Sequence, residues 1–132
     1  MVKPRPSILI VDDDADTLAT LSEFLRQELG ATLTTHSHAA AALQAMGPGD
    51  YDLVLADLRM PEMDGIEFLG RVRAVMPQAK LVLFTADPRV VQRPDATRVA
   101  DAVLLKPLET QPFLARMRRL LKPAAPGDEG VN

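Results

Sequence analysis

Five polar side chains stand where this sequence breaks off an apolar run. Asp12 and Asp13 follow ILIV at 8–11, Asp57 follows LVLA at 53–56, Thr85 follows LVLF at 81–84, and Lys106 follows AVLL at 102–105. A lone carboxylate is costly to bury, so Asp57 belongs at the mouth of its strand, near water or a cation. Carboxylates brought together also repel: two unit charges about 4 Å apart cost about 1 kcal/mol in water and about 4 kcal/mol in a half-buried setting. A divalent cation offsets that repulsion, and Mg²⁺, which prefers oxygen ligands and keeps waters of its own, suits such a set. Taken singly, the run from Asp12 to Asp14 fits a helix start, Thr85 fits an ordinary strand residue, and Lys106 fits a solvated lysine. Their joint placement at the ends of four separate runs argues for one site.

The runs themselves predict the elements that position those groups. Four of them are uniformly apolar rather than alternating, the pattern of strands covered on both faces. A weaker strand at 31–35 has Leu33 as its only large apolar residue, which puts it near an edge. Helices separate the strands. Leu18, Leu21, Leu25 and Leu29 share one face of the first, with Asp14 as its cap or a first-turn acid and Gly30 as its stop. Ser37 is placed to cap an alanine-rich second helix through Met46. Asp64 and Glu67 have the spacing of a capping box for a third helix from Gly65 to about Val75, with the turn forced by Met60-Pro61. Pro88 and Pro94 interrupt the stretch 86–100, so any helix there is short or displaced. A final helix carries Phe113, Leu114, Met117, Leu120 and Leu121, with Pro112 tolerable only in its first turn. Strand and helix alternate five times, which predicts a doubly wound parallel α/β sheet with helices on both faces and its ligand outside the carboxyl ends of the strands.

Composition narrows the alternatives. The chain has 132 residues, enough for one domain with a real core. A net charge of −3 gives no global pull toward nucleic acid or an anionic membrane. The absence of cysteine removes disulfides, thiolate catalysis and thiolate zinc sites. The apolar run at 8–11 is too short for a signal peptide or a spanning helix, so a cytoplasmic protein is expected. The division expected is a lead-in at 1–6, one domain at 7–122, and a disordered tail or start of a linker at 123–132.

In order and close to the family's spacing, ILIVDDD, DLVLADLRMPEMDG, LVLFTA and VLLKP resemble the receiver domain of two-component response regulators, from about Ser7 to Leu121. The resemblance implies a flavodoxin-like, CheY-like sheet of order 2-1-3-4-5. It implies transfer of a phosphoryl group from a histidine kinase phosphohistidine, or from a phosphotransfer protein, onto Asp57. It implies one Mg²⁺ held by Asp13 and Asp57, by Asp12 through water, and by the backbone carbonyl of Arg59. Thr85 matches the hydroxyl that bonds the phosphoryl group and Lys106 the lysine that neutralises it. The Lys106-Pro107 bond matches one usually cis in the family. Such a domain catalyses its own Mg²⁺-dependent phosphorylation and dephosphorylation while acting as a signalling switch, as a monomer or weak homodimer.

Other readings compete. A phosphorylation-independent interaction module would keep the same fold. A phosphatase of the haloacid dehalogenase type needs a second aspartate two residues past its nucleophile, where this chain has Arg59. A nucleotide-binding Rossmann domain lacks its Gly-rich turn here. The chain also departs from the receiver pattern. Val103 stands where receivers usually carry an aromatic that couples the site to the output face, and Val99-Ala100-Asp101 replaces a frequent Gly-Ala pair. Arg59 and Asp87, two residues past the acceptor and the threonine, are expected to modulate the site, with an ion pair between them gating access. His36 and His38 read as solvent-facing loop residues.

Overall fold

The computed structural model describes residues 5–122, so the positions 1–4 of the expected lead-in and the whole expected tail at 123–132 lie outside the described residues. Five parallel strands form a single sheet: β1 (Ser7–Val11), β2 (Thr32–His36), β3 (Leu53–Asp57), β4 (Lys80–Thr85) and β5 (Ala102–Leu105), in the order β2-β1-β3-β4-β5. The helices are α1 (Ala15–Leu29), α2 (Ala39–Ala45), α3 (Gly65–Val75), α4 (Pro94–Val99) and α5 (Thr110–Leu121), with a 3-10 turn at Val90–Gln92.

Alternation along each strand divides the core between the two faces. Ile8, Ile10, Leu53, Leu55, Val82 and Phe84 point to the side covered by Leu18 and Leu25 of α1 and by Phe113, Met117 and Leu121 of α5. Leu9, Val11, Val54, Ala56, Leu81 and Leu83 point to the other, beneath α2, α3 and α4. Because both faces are covered, the three central strands carry apolar residues at nearly every position. Burying each large aliphatic side chain stabilises the fold by about 1.5–3 kcal/mol. The weak strand at 32–36 is an edge strand with no fully buried residue, as its composition predicts.

Helix boundaries follow local chemistry. Asp14 caps α1 by accepting from the Asp16 N–H at 3.1 Å and the Thr17 hydroxyl at 2.8 Å, and Gly30 ends it in the left-handed region at φ 63°. Pro94 opens α4, which lasts six residues. Pro112 falls in the first turn of α5. Three local expectations need correction. Ser37 does not cap α2: His38 holds that position without a side-chain cap bond, while the Ser37 hydroxyl sits 3.0 Å from His38 Nδ1. The capping box of α3 is one-sided, because Asp64 accepts from the Glu67 N–H at 2.8 Å but the Glu67 carboxylate turns to Arg71 at 2.8 Å. His36 is the last residue of β2 rather than a loop residue, and its carbonyl accepts from the Asp12 N–H at 3.2 Å. Among the described residues no helix is long and apolar enough to cross a membrane.

Candidate functional site

Strand register sets the site. Val11 lies beside Ala56, Asp57 beside Phe84 and Thr85 beside Leu105, so the residues that end β1, β3, β4 and β5 converge at the carboxyl end of the sheet. Carboxylate oxygens of Asp12, Asp13 and Asp57 come within 4.8 Å of one another. Asp12 is 1% exposed and Asp57 8%, whereas Asp13 is open to solvent. Lys106 reaches across from β5. Its Nζ lies 2.8 Å from Asp57 Oδ1 and 4.8 Å above the centre of the Phe84 ring, with 3.8 Å to Asp12 Oδ2.

That last separation is too long for a hydrogen bond. Asp12 Oδ1 accepts from the Asp14 N–H at 2.9 Å, but buried Oδ2 has no hydrogen-bond partner. Burial pushes the Asp12 carboxyl above its ordinary value of 3.8, and the neighbouring Asp57 and Asp13 charges push the same way, against the Asp14 N–H and Lys106. An orphaned buried carboxylate oxygen facing two further carboxylates is the donor set a hard divalent cation requires, since such a cation satisfies the oxygen and cancels the repulsion together. The residues present therefore fit a Mg²⁺-type ion.

Thr85 is buried at the end of β4, its Oγ1 accepting from the Asp87 N–H at 3.1 Å. The Lys106 N–H bonds the Thr85 carbonyl at 2.7 Å, tying the start of the β5–α5 loop to β4, and the Lys106-Pro107 peptide is cis. Val103 is half-buried and packs against the α2–α4 side of the core. Arg59 lies on the β3–α3 loop, exposed, lining a cleft with Asp13, Met60, Asp64, Asp87 and Arg93.

The expected Arg59–Asp87 pair does not form. Asp87 is held instead by Arg89, through Nε to Oδ1 at 3.0 Å and Nη2 to Oδ2 at 2.9 Å, with the Arg89 N–H also on Oδ1 at 2.9 Å. The reason is proximity along the chain: two residues apart on one loop, the fork reaches the carboxylate with little chain to order, whereas Arg59 would have to bridge the cleft.

Two contributors are not evident in sequence. Phe84 reads only as core, yet it supplies the face over which Lys106 rests. Gly65 reads as a helix start, yet a Cβ there would strike the Asp57 carbonyl oxygen and come within 2.7 Å of Leu83 Cδ1. The first turn of α3 thus packs directly on the backbone of Asp57, and its N–H bonds the Leu58 carbonyl at 2.8 Å. The Asp-Gly pair at 64–65 was the available signal.

Comparison with known proteins agrees with this arrangement. A family model for the response regulator receiver domain matches residues 8–118. The chain is 31% identical over 115 residues to the response regulator receiver protein CpdR of Brucella abortus (strain 2308), covering 86% of this chain and 95% of that protein. It is 31% identical over 118 residues to the transcriptional regulatory protein PrrA of Mycobacterium tuberculosis (strain H37Rv), covering 89% of this chain but 50% of the relative, so the chain spans about half of that regulator. Among solved structures, the response regulator protein TrrA of Thermotoga maritima in complex with Mg²⁺-BeF matches with a TM-score of 0.78 at 29% identity, covering 88% of this chain and 99% of that one. A BeF3-activated DrrB receiver domain matches with a TM-score of 0.78 at 26% identity, over 89% and 97% of the two chains. With a family match along most of its length, the same sheet order and an acidic pocket faced by a lysine, the chain belongs to the response regulator receiver domain family.

Proposed function

We propose that Asp57 accepts a phosphoryl group from the phosphohistidine of a sensor histidine kinase or phosphotransfer protein, and that the aspartyl phosphate switches a protein target or attached output domain in the cytoplasm. The observation that carries this reading is the cluster itself: three carboxylates within 4.8 Å, one of them 2.8 Å from Lys106, at the carboxyl ends of parallel strands.

In the transfer, an oxygen of the Asp57 carboxylate forms the new bond to phosphorus as the phosphorus–nitrogen bond of the donor breaks, and the imidazole leaves with that electron pair. Phosphoryl transfer asks the protein mainly for alignment and charge compensation. β3, buried along its length, fixes the Asp57 backbone, and α3 packs against it through Gly65. Lys106 is already at the carboxylate, so a short swing of its stem follows the charge onto the phosphoryl oxygens. The Thr85 oxygen accepts from the Asp87 N–H, which leaves its own proton to donate to the phosphoryl group. Asp13, Asp57 and the Arg59 carbonyl, with Asp12 through water, would hold a Mg²⁺ that would supply the remaining positive charge. In hydrolysis a water oxygen forms the new bond to phosphorus as the bond from phosphorus to the Asp57 oxygen breaks, releasing inorganic phosphate and a proton and restoring the carboxylate, so the domain catalyses its own loading and resetting.

Intact mass after incubation with acetyl phosphate and Mg²⁺ tests the assignment. One base-labile phosphoryl adduct is expected on the wild type and none on Asp57→Asn. Equal labelling of the variant overturns it.

A further inference from the structure

Asp87 is gripped by one arginine and feels the charge of two others, Arg59 and Arg93. It follows Thr85 by two residues, and its N–H is already committed to the Thr85 hydroxyl oxygen at 3.1 Å. Asp87 lines the same cleft as Asp13 and as Arg59 of the β3–α3 loop. Arg89 engages it with a fork and a backbone N–H, all at 2.9–3.0 Å. The Arg89 guanidinium beside it holds the Asp87 carboxyl down to about 2, while Arg59 acts on it only through charge and more weakly. Among the described residues Arg59 has no ion-pair partner. Arg93, in the same cleft, also feels the Asp87 charge but is itself forked onto Asp95 at 3.1 and 2.7 Å, so of the three cations acting on this carboxylate Arg89 holds it and Arg59 alone is uncommitted.

We propose that Arg89 is a positioning residue that keeps the cleft open: by holding Asp87 on the β4–α4 loop, it prevents Asp87 from bridging to Arg59 across the approach to Asp57. The argument is one of competition. A guanidinium fork matches both carboxylate oxygens at once, and its neighbouring N–H adds a third bond. Arg89 is nevertheless 85% exposed in its side chain, so its hold is modest and removable. With Arg89 gone, Asp87 keeps its charge and its place beside Thr85, and Arg59 is the cation of the same cleft that has no ion-pair partner. A bridge between them would stand in the path of a phosphodonor arriving at Asp57 and of a water arriving at the aspartyl phosphate. Arg89 therefore sets the rates of loading and resetting together, without touching either reactant. This inference rests on Asp57 as the phosphoacceptor.

The test compares wild type, Arg89→Ala, Arg89→Lys, Arg59→Ala and the Arg59→Ala/Arg89→Ala double variant. Labelling by acetyl phosphate with Mg²⁺ and subsequent loss of phosphate are followed by intact mass. The arginine Nε–H resonances of the unphosphorylated proteins are followed by ¹⁵N NMR. Arg89→Ala is expected to slow both labelling and loss by about threefold to fivefold, the range an exposed ion pair can supply. In the Arg59→Ala background the same change should alter either rate by less than about 1.5-fold, because the bridge can no longer form. Arg89→Lys, a cation without the fork, should fall between. The Arg59 Nε–H should gain protection from solvent exchange in Arg89→Ala, a signal that mere loosening of the loop would not produce. Equal slowing with and without Arg59, no slowing, or an unchanged Arg59 resonance overturns the proposal. A wild type that takes no phosphate, or Asp57→Asn labelling equally, defeats the phosphoacceptor reading instead, and the Arg59 resonance still decides the pairing.

Discussion

At the amino-terminal end of the sheet, Asp101 is bonded to two donors at one oxygen; at the carboxyl end, Asp12 has a buried oxygen with none. Asp101 Oδ2 accepts from the Leu81 N–H at 2.8 Å and from Arg73 Nη2 at 3.0 Å. Arg73 also reaches the carbonyls of Pro77 and Ala79 through Nη1, and of Val99 through Nη2, so one side chain of α3 ties together the start of β4, the end of α4 and the start of β5. The same residue type is therefore used in two ways on one sheet. At one end it closes the structure. At the other it leaves an unmet demand that a cation and a phosphoryl group can answer, and the fold bears the cost of holding it there.

The contrast predicts opposite signs for removing the two carboxylates. Asp101→Ala should have the larger effect. It strands the Leu81 N–H and frees Arg73 from its ion pair, and leaving a buried donor unsatisfied costs about 1–3 kcal/mol. Urea unfolding should show that loss as a lower midpoint with an unchanged slope; a loss below about 0.5 kcal/mol would mean that water takes over the donor and that the amino-terminal end is not the closed one.

Asp12→Asn should instead stabilise the metal-free protein, by about 1 kcal/mol, since it keeps an acceptor for the Asp14 N–H and removes an ionised oxygen without a partner. Its pH dependence carries the sign. The folded carboxyl is raised above 3.8, so the native state binds the proton more tightly than the unfolded chain does. Stability contributed by this group is present below the unfolded value and is lost as pH rises through the folded one. The advantage of Asp12→Asn should accordingly be full at neutral pH and shrink as pH falls toward 3.8. Adding Mg²⁺ should stabilise the wild type and narrow the gap, because binding to the native state raises its stability by mass action. A variant less stable than wild type in metal-free buffer at pH 7 would remove the contrast between the two ends.

Much of this was legible in the chain. Uniformly apolar runs ending in polar groups gave the parallel sheet, its covered faces and the convergence of Asp12, Asp13, Asp57, Thr85 and Lys106, because a strand buried on both faces tolerates charge only at its mouth. What stayed hidden depends on which of several possible partners a side chain selects. Asp87 could meet Arg59 or Arg89, Glu67 could close a box or join Arg71, and Ser37 or His38 could precede α2. Each choice turns on a few ångströms of loop path that no hydrophobic period encodes. The long-range half of the Arg73 network was equally invisible, since two of its four partners lie 26 and 28 residues away in sequence. Gly65 matters through a contact with Asp57 that exists only once α3 has docked.

Backbone conformation sharpens the same comparison with the smallest expected effect. Among the described residues, positive φ occurs at Gly30 (63°), at Gly49 (80°) and at one non-glycine, Glu62 (72°). Gly30 and Gly49 lie on loops leading into β2 and β3, at the amino-terminal end, where the left-handed conformation is filled by the residue that adopts it freely. Glu62 lies on the β3–α3 loop over the mouth, where the same conformation falls to a side chain that resists it. Asparagine tolerates this region better than glutamate, so Glu62→Asn should raise stability by about 0.5 kcal/mol. Glu62→Gly should gain less, because the relief is offset by about 0.5–1 kcal/mol of extra freedom in the unfolded chain. The order Asn above Gly, with Gly close to wild type, is the expected outcome in urea unfolding. If Glu62→Asn is instead destabilising, the glutamate side chain supports the loop by a contact that outweighs its backbone strain, and the mouth is less strained than its φ angle implies.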